Sequence, residues 1–205
     1  MKVFFHGDDY RLYKAILSER CAQYGVEIWA YSLLPNHVHL IAVPSKACSL
    51  SRALGEAHRR YAYRINRREG WSGHLWQERF FSFPMSERHL QAAARYVLLN
   101  PIRAGLVDRV EDWEHTSLQA RLRGQSDGLA DPVPFSTRVA DFRRFLARRE
   151  SVRTTETLRE HSRSGLPLGD DEFVSQIELE VGRPLRPVKP GPKAASEIRD
   201  SYVTP

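Results

Sequence analysis

The stretch VEIWAYSLLPNHVHLIAVP, residues 26–44, restricts the fold more than any other part of the chain. Its first half alternates as a strand does, Pro35-Asn36 supplies a turn, and HVHLIAV runs back, so the segment predicts an antiparallel hairpin. The return arm carries His37 and His39 inside an otherwise apolar run. Side chains two apart on a strand point to the same face, which sets the two imidazoles side by side. In a central, buried strand such a pair would be costly without a ligand or hydrogen-bond partners, and together the rings can share one divalent metal. The spacing alone equally fits two histidines satisfied by protein groups.

Helical patterns flank the hairpin. Asp8 and Asp9 precede a periodic run, Leu12, Ile16 and Ala22, that stops before Gly25. Ser49 or Ser51 can cap a second helix with Leu54, Ala57, Tyr61 and Ile65 on one face, ending in NRREG. LWQERFFSF reads as a third strand, and Ser86 can cap HLQAAARYVLLN, which Pro101 terminates. The order helix, two strands, helix, strand, helix predicts an α+β sandwich, mainly antiparallel, with helices on one face of the sheet.

Residues 1–124 are expected to form this module. Residues 125–163 combine a turn-rich linker, GQSDGLADPVPFS, with the charged helical segment DFRRFLARRESVRTTETLREHS. Residues 164–205 add one short helix, DDEFVSQIELEVG, and the tail GRPLRPVKPGPK, with Arg183, Arg186, Lys189, Lys193 and no acid. Such a tail is expected to stay extended, as an arm along nucleic acid or as a solubilising segment.

At 205 residues and 41% hydrophobic, the chain can bury one sizeable core. No apolar run approaches a membrane span, and MKVFFHGDDY turns acidic before a signal-peptide core develops. Cys21 and Cys48 have no paired spacing, which fits a reducing, cytoplasmic compartment. Lys and Arg outnumber Asp and Glu by 31 to 25, for a net charge of +6, so a polyanionic partner competes with the plainer reading of a basic soluble protein. Arginine dominates the cations, which favours forked phosphate contacts.

In RYVLLNP, Tyr96 and Asn100 are one helical turn apart, at the edge of the apolar stripe centred near Leu90 and Ala94. A tyrosine beside a metal-bound phosphate can act as a nucleophile, whereas the plain readings are an amphipathic filler for Tyr96 and a C-cap for Asn100. The second helix carries Arg59, Arg60, Arg64, Arg67 and Arg68 interleaved with Tyr61 and Tyr63, a pattern able to neutralise phosphates and stack on bases. Tyr61 also fits the core.

PNHVHLIAVP, HRRYAYRINRREGWSGHLWQERF and ARYVLLNPIRAGLV, in that order, resemble the single-tyrosine HUH transposases, specifically the REP-associated tyrosine transposases of bacteria. The likeness covers residues 3 to about 124, and its third block is the most specific. It implies a ferredoxin-like sandwich and a divalent ion, Mg or Mn, on His37 and His39 with Asn100 as amide ligand. It further implies that Tyr96 attacks a backbone phosphate of single-stranded, hairpin-forming DNA, leaving a 5′-phosphotyrosine and a free 3′-hydroxyl. Gln77 and Arg79 in GHLWQERF match the family pattern and are expected in the DNA groove; Trp76 fits the groove or the core. His74 and Arg103 are further candidates or plain solvated side chains. The resemblance also implies a monomer, no small-molecule cofactor, and a nucleoid-associated location. Family members begin with a strand and an RGN-like turn ahead of the position of Met1, so the first strand is expected to be missing. Two other functions fit the same residues: a hairpin-DNA-binding relative without catalysis, and a metal hydrolase that would survive Tyr96→Phe.

Overall fold

The computed structural model describes residues 2–131, 133, 137–139, 141–148 and 151–186. Helix α1, Gly7–Tyr24, closes at Gly25, whose φ of 66° suits glycine and whose Cβ, if present, would collide with Ser45 Oγ. That tight approach joins the start of strand β1, Val26–Leu34, to the end of β2, His37–Pro44. The strands pair antiparallel from Leu34↔His37 to Val26↔Pro44, with an irregularity between Ile28 and Ala30. Helix α2, Ser49–Glu69, follows, then α3, Glu87–Leu98, and the single turn α4, Asn100–Arg103. Beyond them lie α5, Leu118–Arg123; α6, Phe142–Ala147; α7, Val152–Ser164; and α8, Asp171–Val181.

The expected ferredoxin-like sandwich is not what forms. Of the described residues 53% are helical, and among them the sheet has only two strands, so helices rather than a broad sheet make most of the core. They also lie on both faces of the hairpin. One core packs α1 and α2 against Val26, Ile28, Tyr31 and Leu33; the other packs α3, Phe145 of α6 and Leu158 of α7 against Ala30 and Ile41.

LWQERFFSF, expected as a strand, runs without regular structure. Leu75 is buried and its neighbour Trp76 packs against the same core, whereas consecutive strand side chains must point to opposite faces. Packing of both therefore overrides the apparent alternation. The strand expected to be central, β2, is consequently an edge: among the described residues it pairs only with β1. The outer side of β1 is covered instead by Leu33 N donating to His115 O at 2.9 Å and Ser117 N to Tyr31 O at 3.1 Å.

The first residues seal one end of the core. Val3 N and Phe4 N both donate to Pro35 O at the hairpin turn, at 2.8 and 3.1 Å, and the Phe4 ring stacks on Tyr10 at 4.4 Å. Asp9, 1% exposed, accepts from Phe5 N at 2.8 Å and His6 N at 3.0 Å and pairs with Arg68 of α2. It therefore caps α1 from within its first turn, on the N–H of the N-cap residue His6, and tethers that helix entry to the next helix.

Candidate active site

Strand periodicity puts the two histidines on one face, as the sequence predicts, and the turn fixes their rings. The Nε2 atoms of His37 and His39 stand 3.0 Å apart, with the rings at 87°. Asn36 Oδ1 lies 2.8 Å from His37 Nδ1; an amide oxygen only accepts, so Nδ1 carries the proton and Nε2 presents a lone pair. Burial pushes His39 down to about 3, with the charges of His37 and Arg103 adding, and burial lowers His37 as well. Both rings are thus neutral at physiological pH, the form that binds metals.

Helix α3 packs over this same face, on which Ile41 follows His37 and His39. Its stripe of Leu90, Ala93, Ala94, Val97 and Leu98 is buried, and Tyr96, flanking it, is half-buried. The Tyr96 ring meets His39 edge to face, 5.7 Å between centroids at 86°. Arg103 lies over that ring at 4.2 Å, and its guanidinium donates to the Tyr96 carbonyl. The chain can fold back this way because α3 stops at Leu98 and Pro101 sits in the first turn of α4, where its missing N–H is no loss. Asn100, expected in the last turn of one continuous helix, instead begins α4 and is buried. Neither imidazole hydrogen-bonds it.

His39 and Tyr96 line one groove of about 510 Å³ that runs along the free edge of β2, between α2, the 80–87 segment and α3. Phe173 and Ile177 of α8 form part of its rim. A second groove, of about 600 Å³, lies along α2, between Ser51, Gly55, Arg59, Ala62, Tyr63 and Asn66 and the 73–80 segment with His74, Gln77 and Arg79. His58 and Phe80 line both grooves.

The donor set fits a divalent ion. Two imidazole nitrogens, each ~2.1 Å from one ion at a right angle, stand about 3 Å apart, which is the separation found. Asn36 holds the tautomer from behind, as outer partners of metal-binding histidines do. Among the described residues no group of three or more His, Cys, Asp or Glu side chains converges on a point, so such an ion would depend on amide, water or phosphate oxygens for the rest of its shell.

The arginines of α2 divide. Arg60 pairs with Glu19 at 3.8 Å, and Arg68 is engaged by Asp9 and by Glu69 at 2.6 Å. Arg59 and Arg64 have no acidic partner among the described residues, and Arg67 donates to Tyr63 Oη at 3.4 Å. Tyr61 is fully buried, donating to Val3 O at 2.7 Å, which places it in the core. Trp76 is half-buried, stacked on His58 at 4.2 Å. In the tail, Arg183 is exposed, while Arg186 folds back on α8, 2.8 Å from Ser175 Oγ and 3.7 Å from Asp171. Lys189 and Lys193 lie outside the described residues. Sequence reading missed Asn36, taken only as a turn residue, and His58, whose place on the rim of a buried stripe gave no separate signal.

No helix among the described residues is long and apolar enough to cross a membrane. No solved structure matches the chain. A Haemophilus influenzae protein, named provisionally as a REP-associated tyrosine transposase, is 23% identical over 126 residues, which is 55% of this chain and 70% of that protein. The family described as Transposase IS200 like matches residues 2–100, a span that contains the histidine pair, α2, Tyr96 and Asn100. Over this segment, just under half of its length, the chain is similar to the IS200-like transposases.

Proposed function

We propose that the protein cuts and rejoins single-stranded, hairpin-forming DNA, with Tyr96 as nucleophile and a divalent ion held by His37, His39 and Asn100. The observation that carries this reading is the convergence of two neutral imidazoles, 3.0 Å apart at Nε2, with the Tyr96 ring 5.7 Å from His39. When bound, the ion would polarise a backbone phosphate and offset charge on the leaving oxygen. Imidazole donors suit Mn better than Mg, which prefers oxygen.

The side chains divide the remaining work. Asn36 keeps the His37 lone pair aimed outward. His39 and Arg103, both in contact with the Tyr96 ring, restrict its rotation and so prepay part of the orientation the attack needs. Arg103 also brings a permanent positive charge to the place where the phosphate must sit. Tyr96 Oη bonds to phosphorus, the bond to the 3′ oxygen breaks, and the proton lost by the phenol is matched by one gained at the 3′-hydroxyl. One phosphodiester replaces another, so the reverse step can rejoin strands without a nucleotide cofactor.

The test uses single-stranded hairpin DNA labelled at its 3′ end, incubated with the purified chain and Mn or Mg. The expected product is a denaturation-resistant protein–DNA adduct that carries the label and disappears with chelator. Cleavage with no adduct would instead support hydrolysis by metal-activated water.

A further inference from the structure

The second groove has the composition of a site for an unpaired nucleotide, and it is separate from the histidine pair. On α2, Ser51, Gly55, His58, Arg59, Ala62, Tyr63 and Asn66 follow one another at helical spacing and form one wall. Small residues at 51, 55 and 62 leave a trough, with Tyr63 at its side, 62% exposed, a large ring with no packing role. The facing wall is the irregular 73–80 segment, with His74, Gln77, Arg79 and one carboxylate, Glu78. Arg59 and Arg79 have no acidic partner among the described residues, in contrast to Arg60 and Arg68 nearby. Two free guanidiniums against one carboxylate leave the groove positive.

Its floor is built rather than incidental. The His58 ring is clamped between Trp76, stacked at 4.2 Å, and Tyr13 Oη, 3.0 Å from Nε2; its other nitrogen has no hydrogen-bond partner among the described residues. Trp76 Nε1 in turn donates to His58 O at 3.2 Å. Burial pushes His58 down to about 4, so it offers a neutral ring nitrogen, suited to a base edge rather than to a phosphate. Gly55 is the least expected residue: mid-helix glycine costs about 1 kcal/mol relative to alanine. A Cβ there would meet nothing within 4 Å. The protein's own packing gives no reason for the missing side chain, whereas a ligand lying in the trough does.

We propose that this groove binds one unpaired nucleotide of the DNA strand, its base on Tyr63 and its phosphate between Arg59 and Arg79. The proposal rests on single-stranded DNA being the substrate and adds a second anchoring point. Because His58 and Phe80 line both grooves, a strand held here is delivered directly to the groove containing His39 and Tyr96.

The experiment measures fluorescence anisotropy of a labelled single-stranded oligonucleotide with the full chain, in chelator so that no adduct forms. Duplex DNA and a free deoxynucleoside monophosphate serve as competitors. Tyr63→Ala is expected to weaken binding about tenfold. The pair Arg59→Ala and Arg79→Ala should flatten the logarithmic salt dependence by about 0.7, the share of the one phosphate contact it removes on a single strand. Gly55→Gln fills the trough while improving helix propensity, so it should weaken binding without lowering the melting temperature. Arg123→Ala, which removes one positive charge elsewhere, should leave affinity unchanged. The unlabelled strand should compete far better than duplex or the monophosphate. If the wild type binds single strands but Tyr63→Ala and Gly55→Gln bind equally well, the groove assignment is overturned and the proposed substrate stands. Equal losses in Arg123→Ala and the groove arginines would overturn it too. A wild type that binds no single-stranded DNA overturns the substrate reading, and the groove proposal with it.

Discussion

The guanidinium of Arg103 lies 4.2 Å above the Tyr96 ring while donating to the carbonyl of the same residue. One side chain thereby fixes both the ring and the backbone turn that carries the proposed nucleophile. A cation over an aromatic face is worth about 1–2 kcal/mol when partly desolvated. Arg103→Ala should therefore slow adduct formation about tenfold, and Arg103→Lys should recover part of that loss. Single-turnover rates at saturating DNA provide the check, since a purely DNA-binding role would change affinity and spare the rate.

Removing the Asn36 amide frees His37 to adopt the other tautomer. Loss of such outer partners typically costs 10–100-fold in metal affinity. Asn36→Ala should raise the Mn concentration needed for half-maximal adduct formation by about that factor, with little change in melting temperature. His37→Ala and His39→Ala should abolish the metal dependence along with the adduct.

The buried Asp9 carboxylate contributes to stability in a pH-dependent way. Burial alone would raise its pKa, but the hydrogen bond from Arg68, those from Phe5 and His6 N–H, and the Arg68 charge together hold it below the usual value of 3.8. A depressed carboxyl stabilises the fold fully above its unfolded pKa, and that contribution is lost as pH falls through the lower, folded value. Asp9→Asn should cost about 2 kcal/mol at neutral pH and flatten the acid limb of stability against pH. Thermal melts of both proteins between neutral and strongly acidic pH measure this directly.

Tyr61 separates a structural tyrosine from a DNA-facing one on the same helix. Its hydroxyl is buried against Val3 O, so Tyr61→Phe should lose about 1 kcal/mol of stability and leave DNA affinity unchanged. Chemical denaturation and binding titrations on one preparation test both halves.

The sequence made the hairpin and α1 to α3 legible because their apolar residues recur at periods of two or of three to four, and because Pro35-Asn36 and Gly25 punctuate them. The pairing of His37 with His39 follows from the same periodicity. The third strand failed because Leu75 and Trp76 both turn inward, a tertiary preference that a local pattern does not carry. Without that strand the sheet stays two-stranded, and β2 is an edge rather than a centre. The charged segment DFRRFLARRESVRTTETLREHS carries helices α6 and α7 as expected, but its packing on the α3 face was missed for a related reason: Phe145 and Leu158, the anchors of α6 and α7, sit among charges that mask a narrow apolar stripe. The division of the α2 arginines into paired and unpaired was also out of reach, since Glu19 and Asp9 are distant in sequence and meet α2 only in the fold.

The central claim is that Tyr96 takes the DNA phosphate, and the most direct measurement is a peptide map of the purified adduct by mass spectrometry. After nuclease trimming, the account predicts a nucleotide mass on the peptide containing Tyr96, joined through a 5′ phosphate, and no adduct from Tyr96→Phe. A nucleotide found on any other residue, or strand cleavage that continues undiminished in Tyr96→Phe, would contradict it.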